Sequence, residues 1–275
     1  MNFRSRLFSV LGALGVVTAP AFAQVSAYYG TQGTAGLGST YIWQGGSQVG
    51  SYQWAANGEM PIVVADFGSG VRVRQAVGQP NSDTLPQQGD EYLLNGTPTG
   101  FHNAWNPGDP LVSAYDAAFD GTSIYMVDWQ GATNGNVYSY DSNYNNRTFL
   151  FAANGGDIGI TYDSRDKTLW TAGFSTGLVQ EWSMTGTALT SFTDPNSSAA
   201  GLAYDSVDGT LWMSDGSGAS KLYNYSTSGA LLNTVVTNEY ILGGEMVAAP
   251  APEPATMALL GLGAAALLRR RRSVK

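Results

Sequence analysis

Three aspartates recur at one point of a repeated pattern. Asp66, Asp128 and Asp215 each stand four residues after an apolar residue, Ile62, Ile124 and Leu211, and the remaining copy has Gly173 there. A closed repeat structure brings equivalent positions around a common axis, so the three carboxylates could surround a hard cation. With oxygen ligands only, that ion would be calcium or magnesium. The same pattern has a local use as well, because an aspartate ending a strand accepts hydrogen bonds from the backbone of the turn that follows. The chain has no cysteine and a single histidine, His102. This excludes disulfides, thiolate zinc sites, cysteine nucleophiles and metal centres built from several imidazoles. His102 lies in "GFHNAW", and no serine in that stretch has the strand-turn setting of an activated nucleophile.

Aromatic residues are the second candidate chemistry. Tyr138, Tyr140 and Tyr144 share an Asn- and Ser-rich stretch, and flat rings beside amides and hydroxyls suit the stacked faces and polar edges of a sugar. Trp170 and Trp212 occupy the same strand position of two repeats, which points instead to packing. Charge narrows the partners further. Seven of the 13 basic residues and one of the 21 acidic ones lie in the terminal segments, leaving six against twenty and a body near −14. Such a surface repels phosphate backbones, so nucleic acid is not a partner.

These residues must be positioned by strands. Between Gln24 and Ala251 no long apolar stretch follows helical spacing; short runs rich in Val, Ile, Tyr and Trp alternate with Gly, Asn, Asp and Ser. "GITYDSRDKTLW" from Gly159 returns as "GLAYDSVDGTLW" from Gly201, 42 residues later, and "AAFDGTSIY" from Ala117 fits the same template. Each continues as strand, glycine-bearing hairpin, strand, from Ile124, Leu169 and Leu211. "IVVADFGSGVRVRQ" from Ile62 reads as a further copy of that part, and "ALTSF" at Ala188 and "ALLNTV" at Ala230 supply fourth strands.

Four strands per unit at this period predict an all-β propeller, since one four-stranded sheet cannot cover both its faces and stacking around an axis does so. The length accommodates about five blades. The last is shared between the chain ends, with "GGEMVAA" from Gly243 as its first strand and "VSAYYG" and "STYIWQ" as the next. Six blades or a sandwich remain compatible with the same spacing. Residues 79–110, with Pro80, Pro86, Pro98, Pro107 and Pro110, break the period and read as an insertion on one face.

The termini carry targeting chemistry. Arg4 and Arg6 precede the apolar run Leu7 to Val17, and Ala21-Phe22-Ala23 offers small residues where signal peptidase reads, so cleavage is expected between Ala23 and Gln24. At the other end, Ala255 to Leu268 are 14 uncharged residues. As a helix they reach about 21 Å, against about 30 Å of hydrocarbon. Arg269, Arg270, Arg271 and Arg272 follow at once and would hold that end in the cytoplasm. The chain thus divides into a signal peptide at 1–23 with a signal helix, a repeat domain at 24–248, and a tail at 249–275 with a short transmembrane helix.

Pro252-Glu253-Pro254, the short apolar run and the arginine cluster, in that order, resemble the PEP-CTERM sorting signal of bacterial exosortase substrates. The strand-hairpin-strand core resembles NHL and YVTN propeller repeats. The first resemblance implies a precursor exported across the inner membrane of an exopolysaccharide-making Gram-negative host. The precursor inserts transiently in the membrane, is cut by exosortase near Pro252 to Pro254, and reaches the cell surface or exterior. On this basis the body is expected to bind or organise exopolysaccharide or matrix proteins without catalysis and without a cofactor. The alternative is a calcium-dependent hydrolase or lyase of the propeller-lactonase kind. A plain C-terminal membrane anchor, with Pro-Glu-Pro as a stiff linker, is the competing reading of the tail. Replacing Pro252, Glu253 and Pro254 by alanine is expected to leave full-length precursor in the membrane fraction; unchanged mature mass and location would reject the sorting reading.

Overall fold

Alternation of apolar and polar residues fixes the strands, and aspartate and glycine fix the turns between them. The computed structural model describes residues 26–34, 36–78, 88–104, 113–129, 135–196 and 198–248, and every regular element among them is a β-strand. The signal helix, the C-terminal helix and the residues assigned to processing and membrane stop (Ala23, Gln24, Pro252, Glu253, Pro254 and Arg269 to Arg272) lie outside the described residues.

The strands form five four-stranded antiparallel sheets. Strands β1 (Ser26–Gln32), β2 (Ser39–Gln44) and β3 (Ser47–Gln53) begin the chain. The first blade is β4 (Ile62–Asp66), β5 (Val71–Gln75), β6 (Gln88–Tyr92) and β7 (Pro98–Ala104), and the second is β8 (Ala118–Phe119), β9 (Ser123–Trp129), β10 (Gly135–Asp141) and β11 (Thr148–Ala152). The third is β12 (Asp157–Asp163), β13 (Thr168–Gly173), β14 (Leu178–Trp182) and β15 (Ala188–Thr193). The fourth is β16 (Ala199–Asp205), β17 (Thr210–Asp215), β18 (Lys221–Ser226) and β19 (Leu231–Val236). Finally β20 (Ile241–Ala248) pairs with β1, from Ser26↔Ala248 to Thr31↔Gly243, and becomes the inner strand of a closing blade ordered β20-β1-β2-β3. The ring is therefore five-bladed and closed by the chain ends.

Two expectations are corrected. Part of segment 79–110 is integral to the first blade, because it contributes β6 and β7; Pro98 stands at the start of the outermost strand, where a missing N–H costs no ladder bond. The run from Ile62 is strands one and two of its blade, not two and three. Its alternation is the same in either register, so the sequence pattern could not separate them.

Five apolar clusters fill the gaps between successive blades. Tyr29, Ile42, Ile62 and Tyr92 join the closing and first blades, and Val63, Ala117, Ile124 and Met126 the first and second. Val127, Phe151, Ile160 and Trp182 follow, then Trp170, Leu202, Leu211 and Tyr225, and Tyr28, Trp43, Leu222 and Ile241 close the ring. Burying each large side chain contributes about 1.5–3 kcal/mol.

The axis poses a separate problem. An innermost strand has a partner on one side only, so its remaining N–H groups face the centre and need acceptors. Asp116, fully buried just before β8, supplies them. Its Oδ1 accepts from the N–H of Gly244 at 2.9 Å and of Ala117 at 3.0 Å; Oδ2 accepts from Leu202 at 2.8 Å and Ile160 at 3.1 Å. These donors come from the second, third, fourth and closing blades. Asp116 precedes Ala117 as Gly159, Gly201 and Gly243 precede the other three donors. Glycine is needed where the inner strands crowd together: a Cβ on Gly243 would lie 2.3 Å from the Met60 carbonyl oxygen. Burial drives the Asp116 carboxyl well above the usual carboxylate range, opposed by its four N–H bonds.

Asp116→Ala orphans four buried donors at once and is expected to cost about 3–5 kcal/mol, with Asp116→Asn in between because it keeps one acceptor oxygen. Urea unfolding followed by tryptophan fluorescence measures this, and an unchanged midpoint for Asp116→Ala would show that the blades do not depend on the axial carboxylate.

Candidate binding site at the propeller mouth

The three sequence-matched aspartates are not brought together. Asp215 ends β17 and Asp128 stands one residue before the end of β9, both second strands, whereas Asp66 ends the first strand β4 and so lies at the opposite face of the ring. Asp66 belongs with Asp120, Asp163 and Asp205, which sit where first strands turn into second. Its Oδ1 accepts from Gly68 and Gly70 N–H at 2.8 and 3.0 Å, as that of Asp163 accepts from Arg165 and Asp166 at 2.8 and 3.2 Å. Asp215 holds Ser217 N–H at 2.7 Å and accepts from Tyr223 OH at 3.2 Å. Among the described residues no group of three or more His, Asp or Glu side chains could hold a metal ion.

The tyrosines also separate. Tyr140 and Tyr144 are buried between the first and second blades. Tyr138 is half-buried, with the Arg147 guanidinium 4.1 Å from its ring centre and Phe149 edge-on at 5.8 Å. No face of Tyr140 or Tyr144 is presented for stacking. Trp170 is core as its repeat position implies, and Trp212 packs at the seam with the closing blade.

Two cavities have aromatic linings: one of about 130 Å³ at the seam of the fourth and closing blades, with Tyr28, Trp43 and Trp212 in its wall, and one over the axis. At the face where first strands begin, Met60, Tyr115, Ile158, Ala200 and Leu242, one from each blade, pack over the axis in a single cluster with Trp54. Second strands end at the same face, and there Trp129 closes β9 and Phe174 follows β13. Together Tyr115, Trp129, Ile158, Phe174, Tyr240 and Leu242 line a cavity of about 120 Å³. Tyr115, Ile158 and Leu242 are buried and form its floor; Trp129, Phe174 and Tyr240 are half-buried and form its rim. Tyr115 and Trp129 meet edge to face at 5.7 Å and 74°. The Tyr240 phenol is raised by burial first and then by Tyr115 and Asp215, which puts a carboxylate within electrostatic reach of the rim. The cavity is lined by four aromatic and two aliphatic side chains. Spacing along the chain gave no sign of it. Aligning the blades would have: Trp129 and Phe174 follow the equivalent Asp128 and Gly173, while Tyr115, Ile158 and Leu242 precede Asp116, Gly159 and Gly243.

Other polar groups are structural. Glu59 is fully buried, accepting from Asp90 N–H at 2.6 Å and Tyr92 OH at 2.5 Å, and burial raises it to about 7. Asp157, also raised to about 7 by burial, accepts from Thr171 Oγ1 at 2.7 Å, while its Oδ1 is buried without a partner. The His102 Nδ1 meets Asp90 Oδ1, pinning the half of the ring that faces the protein. "GFSTG" at Gly173 matches G-x-S-x-G, but it joins β13 to β14 as a hairpin, without the strand-to-helix turn that exposes a nucleophile.

Fold and site together define a five-bladed propeller with an aromatic mouth. Residues 250–272 match the PEP-CTERM protein-sorting motif, which implies an exported precursor processed by exosortase and destined for the surface or exterior. No curated protein matches the chain in sequence. Among solved structures, the chain is similar to one in a nidogen/laminin complex at 12% identity and TM-score 0.50, covering 81% of this chain and 98% of that one. It is similar to luciferin-regenerating enzyme at 13% identity and TM-score 0.52, covering 80% and 75%. Streptogramin B lyase shares 14% identity at TM-score 0.46, covering 79% and 70%. At these identities the likeness is one of fold.

The buried acids set a pH dependence. Glu59 and Asp157 hold protons in the folded protein up to about pH 7, whereas in the unfolded chain they release them near pH 4. Their contribution to stability is therefore full below about pH 4 and is lost as pH rises towards 7, with a slope of up to about 1.4 kcal/mol per pH unit for each. Glu59→Gln is expected to flatten the decline in urea midpoint between pH 5 and 7.5; an identical slope in the variant would exclude Glu59 as a source.

Proposed function

We propose that the protein is a non-catalytic cell-surface or matrix component whose propeller mouth binds exopolysaccharide or a partner protein. In this reading signal peptidase cuts between Ala23 and Gln24, the Arg269 to Arg272 cluster stalls the tail in the membrane, and exosortase acts near Pro252 to Pro254. The observation that carries it is the aromatic cavity over the axis. At about 120 Å³ it is smaller than the roughly 300–1,000 Å³ of sites that enclose a whole drug-sized ligand. It fits one ring, side chain or head group of something larger.

Topology supports the same reading. Ser26 and Ala248 pair with each other where the first strands end, the face opposite the mouth. The last described strand of the body thus ends at the face away from the cavity. The acidic body adds like-charge repulsion that limits self-aggregation outside the cell. The calcium-dependent hydrolase reading has less to draw on, because both oxygens of the axial Asp116 are occupied by N–H donors and Asp66, Asp128 and Asp215 do not converge.

The mature protein is expected to co-sediment with the extracellular polymer of its host, and the double variant Trp129→Ala/Phe174→Ala to lose retention at least tenfold while keeping a cooperative melt. Equal retention would remove the mouth from the proposal. Melting with calcium and with chelator is expected to give the same midpoint; a shift of several degrees would restore the metal-dependent alternative.

A further inference from the structure

We infer that the mouth selects a ligand group bearing an alkylammonium charge, a deepening that rests on its reading as a binding site. Four aromatic rings, Tyr115, Trp129, Phe174 and Tyr240, surround a cavity floored by Ile158 and Leu242. The lining offers only two phenol hydroxyls and one indole N–H as polar atoms, too few to satisfy the hydroxyls of a neutral sugar ring. Aromatic faces attract cations through their quadrupole, and the attraction grows when water is excluded, as it is over this buried floor.

The local charge has the matching sign. Asp215 directly precedes Gly216, which lies against the Phe174 ring of the rim, and its charge reaches Tyr240. Asp128, buried at the equivalent end of β9, directly precedes Trp129. Among the described residues no lysine or arginine lines the cavity, and the body carries about twenty acids against six bases. An anionic ligand would meet repulsion here, and a neutral one would gain nothing from these carboxylates. A methylated or primary ammonium gains from both rings and charge, and its size fits the cavity.

Ligand-observed NMR titration of the mature protein with choline and with 3,3-dimethylbutan-1-ol, the same shape without the charge, tests this. Choline is expected to bind at least fivefold more tightly, less so at high salt. Asp215→Asn should lower choline affinity severalfold and leave the alcohol unchanged, whereas Phe174→Ala should weaken both. If Asp215→Asn melts early, Asp128→Asn serves in its place. Equal affinity for the two probes would overturn the charge selectivity while leaving the mouth as a site; binding of neither would overturn both. Nα-acetyl-lysine amide and glucosamine, run alongside, assign the ammonium to a protein side chain or to an amino sugar according to which competes with choline.

Discussion

Four inner strands converge on a single carboxylate. The innermost strand of a propeller blade is an edge, and its inward N–H groups have no strand to pair with. In this ring Asp116 takes one such donor from each of four blades, two per oxygen. Gly159, Gly201 and Gly243 stand where Asp116 stands in its own blade, and a Cβ on Gly201 or Gly243 would run into the Tyr28 hydroxyl or the Met60 carbonyl of the neighbouring blade. Neighbouring bonds tie the same layer across blades: Tyr28 OH donates to the Gly201 carbonyl at 2.7 Å and Thr31 Oγ1 to the Met60 carbonyl at 2.6 Å. A narrow axis thereby becomes a saturated hydrogen-bond hub.

That hub shapes where binding can occur. The residues one step before Asp116 and its equivalents in each blade form a continuous apolar floor over the axis, and the mouth cavity lies above them. The rim comes from a different part of each blade, the ends of the second strands, which antiparallel pairing brings beside the starts of the first. Trp129 and Phe174 reach over the floor from there. In the fourth blade the matching residue is Gly216, and a Cβ there would lie 2.8 Å from the Phe174 ring, so that blade contributes no ring of its own at this position.

Much of the fold was legible because a propeller repeats one local pattern. The period between Gly159 and Gly201, the Asp-bearing turns and the split closing blade all follow from strand alternation and turn chemistry, which are short-range. The first blade was misread for the same reason: a strand-hairpin-strand run looks alike whether it is strands one and two or two and three. The misreading carried Asp66 into a ring with Asp128 and Asp215 that the structure does not form. Tyr140 and Tyr144 show the other limit, since an Asn- and Ser-rich neighbourhood suggested exposure where the next blade covers them.

By itself the sequence declared the sorting motif and the four-stranded repeat, and it left the number of blades open. The sorting motif at 250–272 is a contiguous run of residues read as a run, and a repeat of four strands needs only neighbours in the chain to declare itself. Only the tertiary structure decided which side chains meet. Asp116 is 128 residues from Gly244, and the mouth draws on residues from Tyr115 to Leu242. Closing five blades around one axis is what places them within contact of each other, and no spacing along the chain encodes that closure residue by residue.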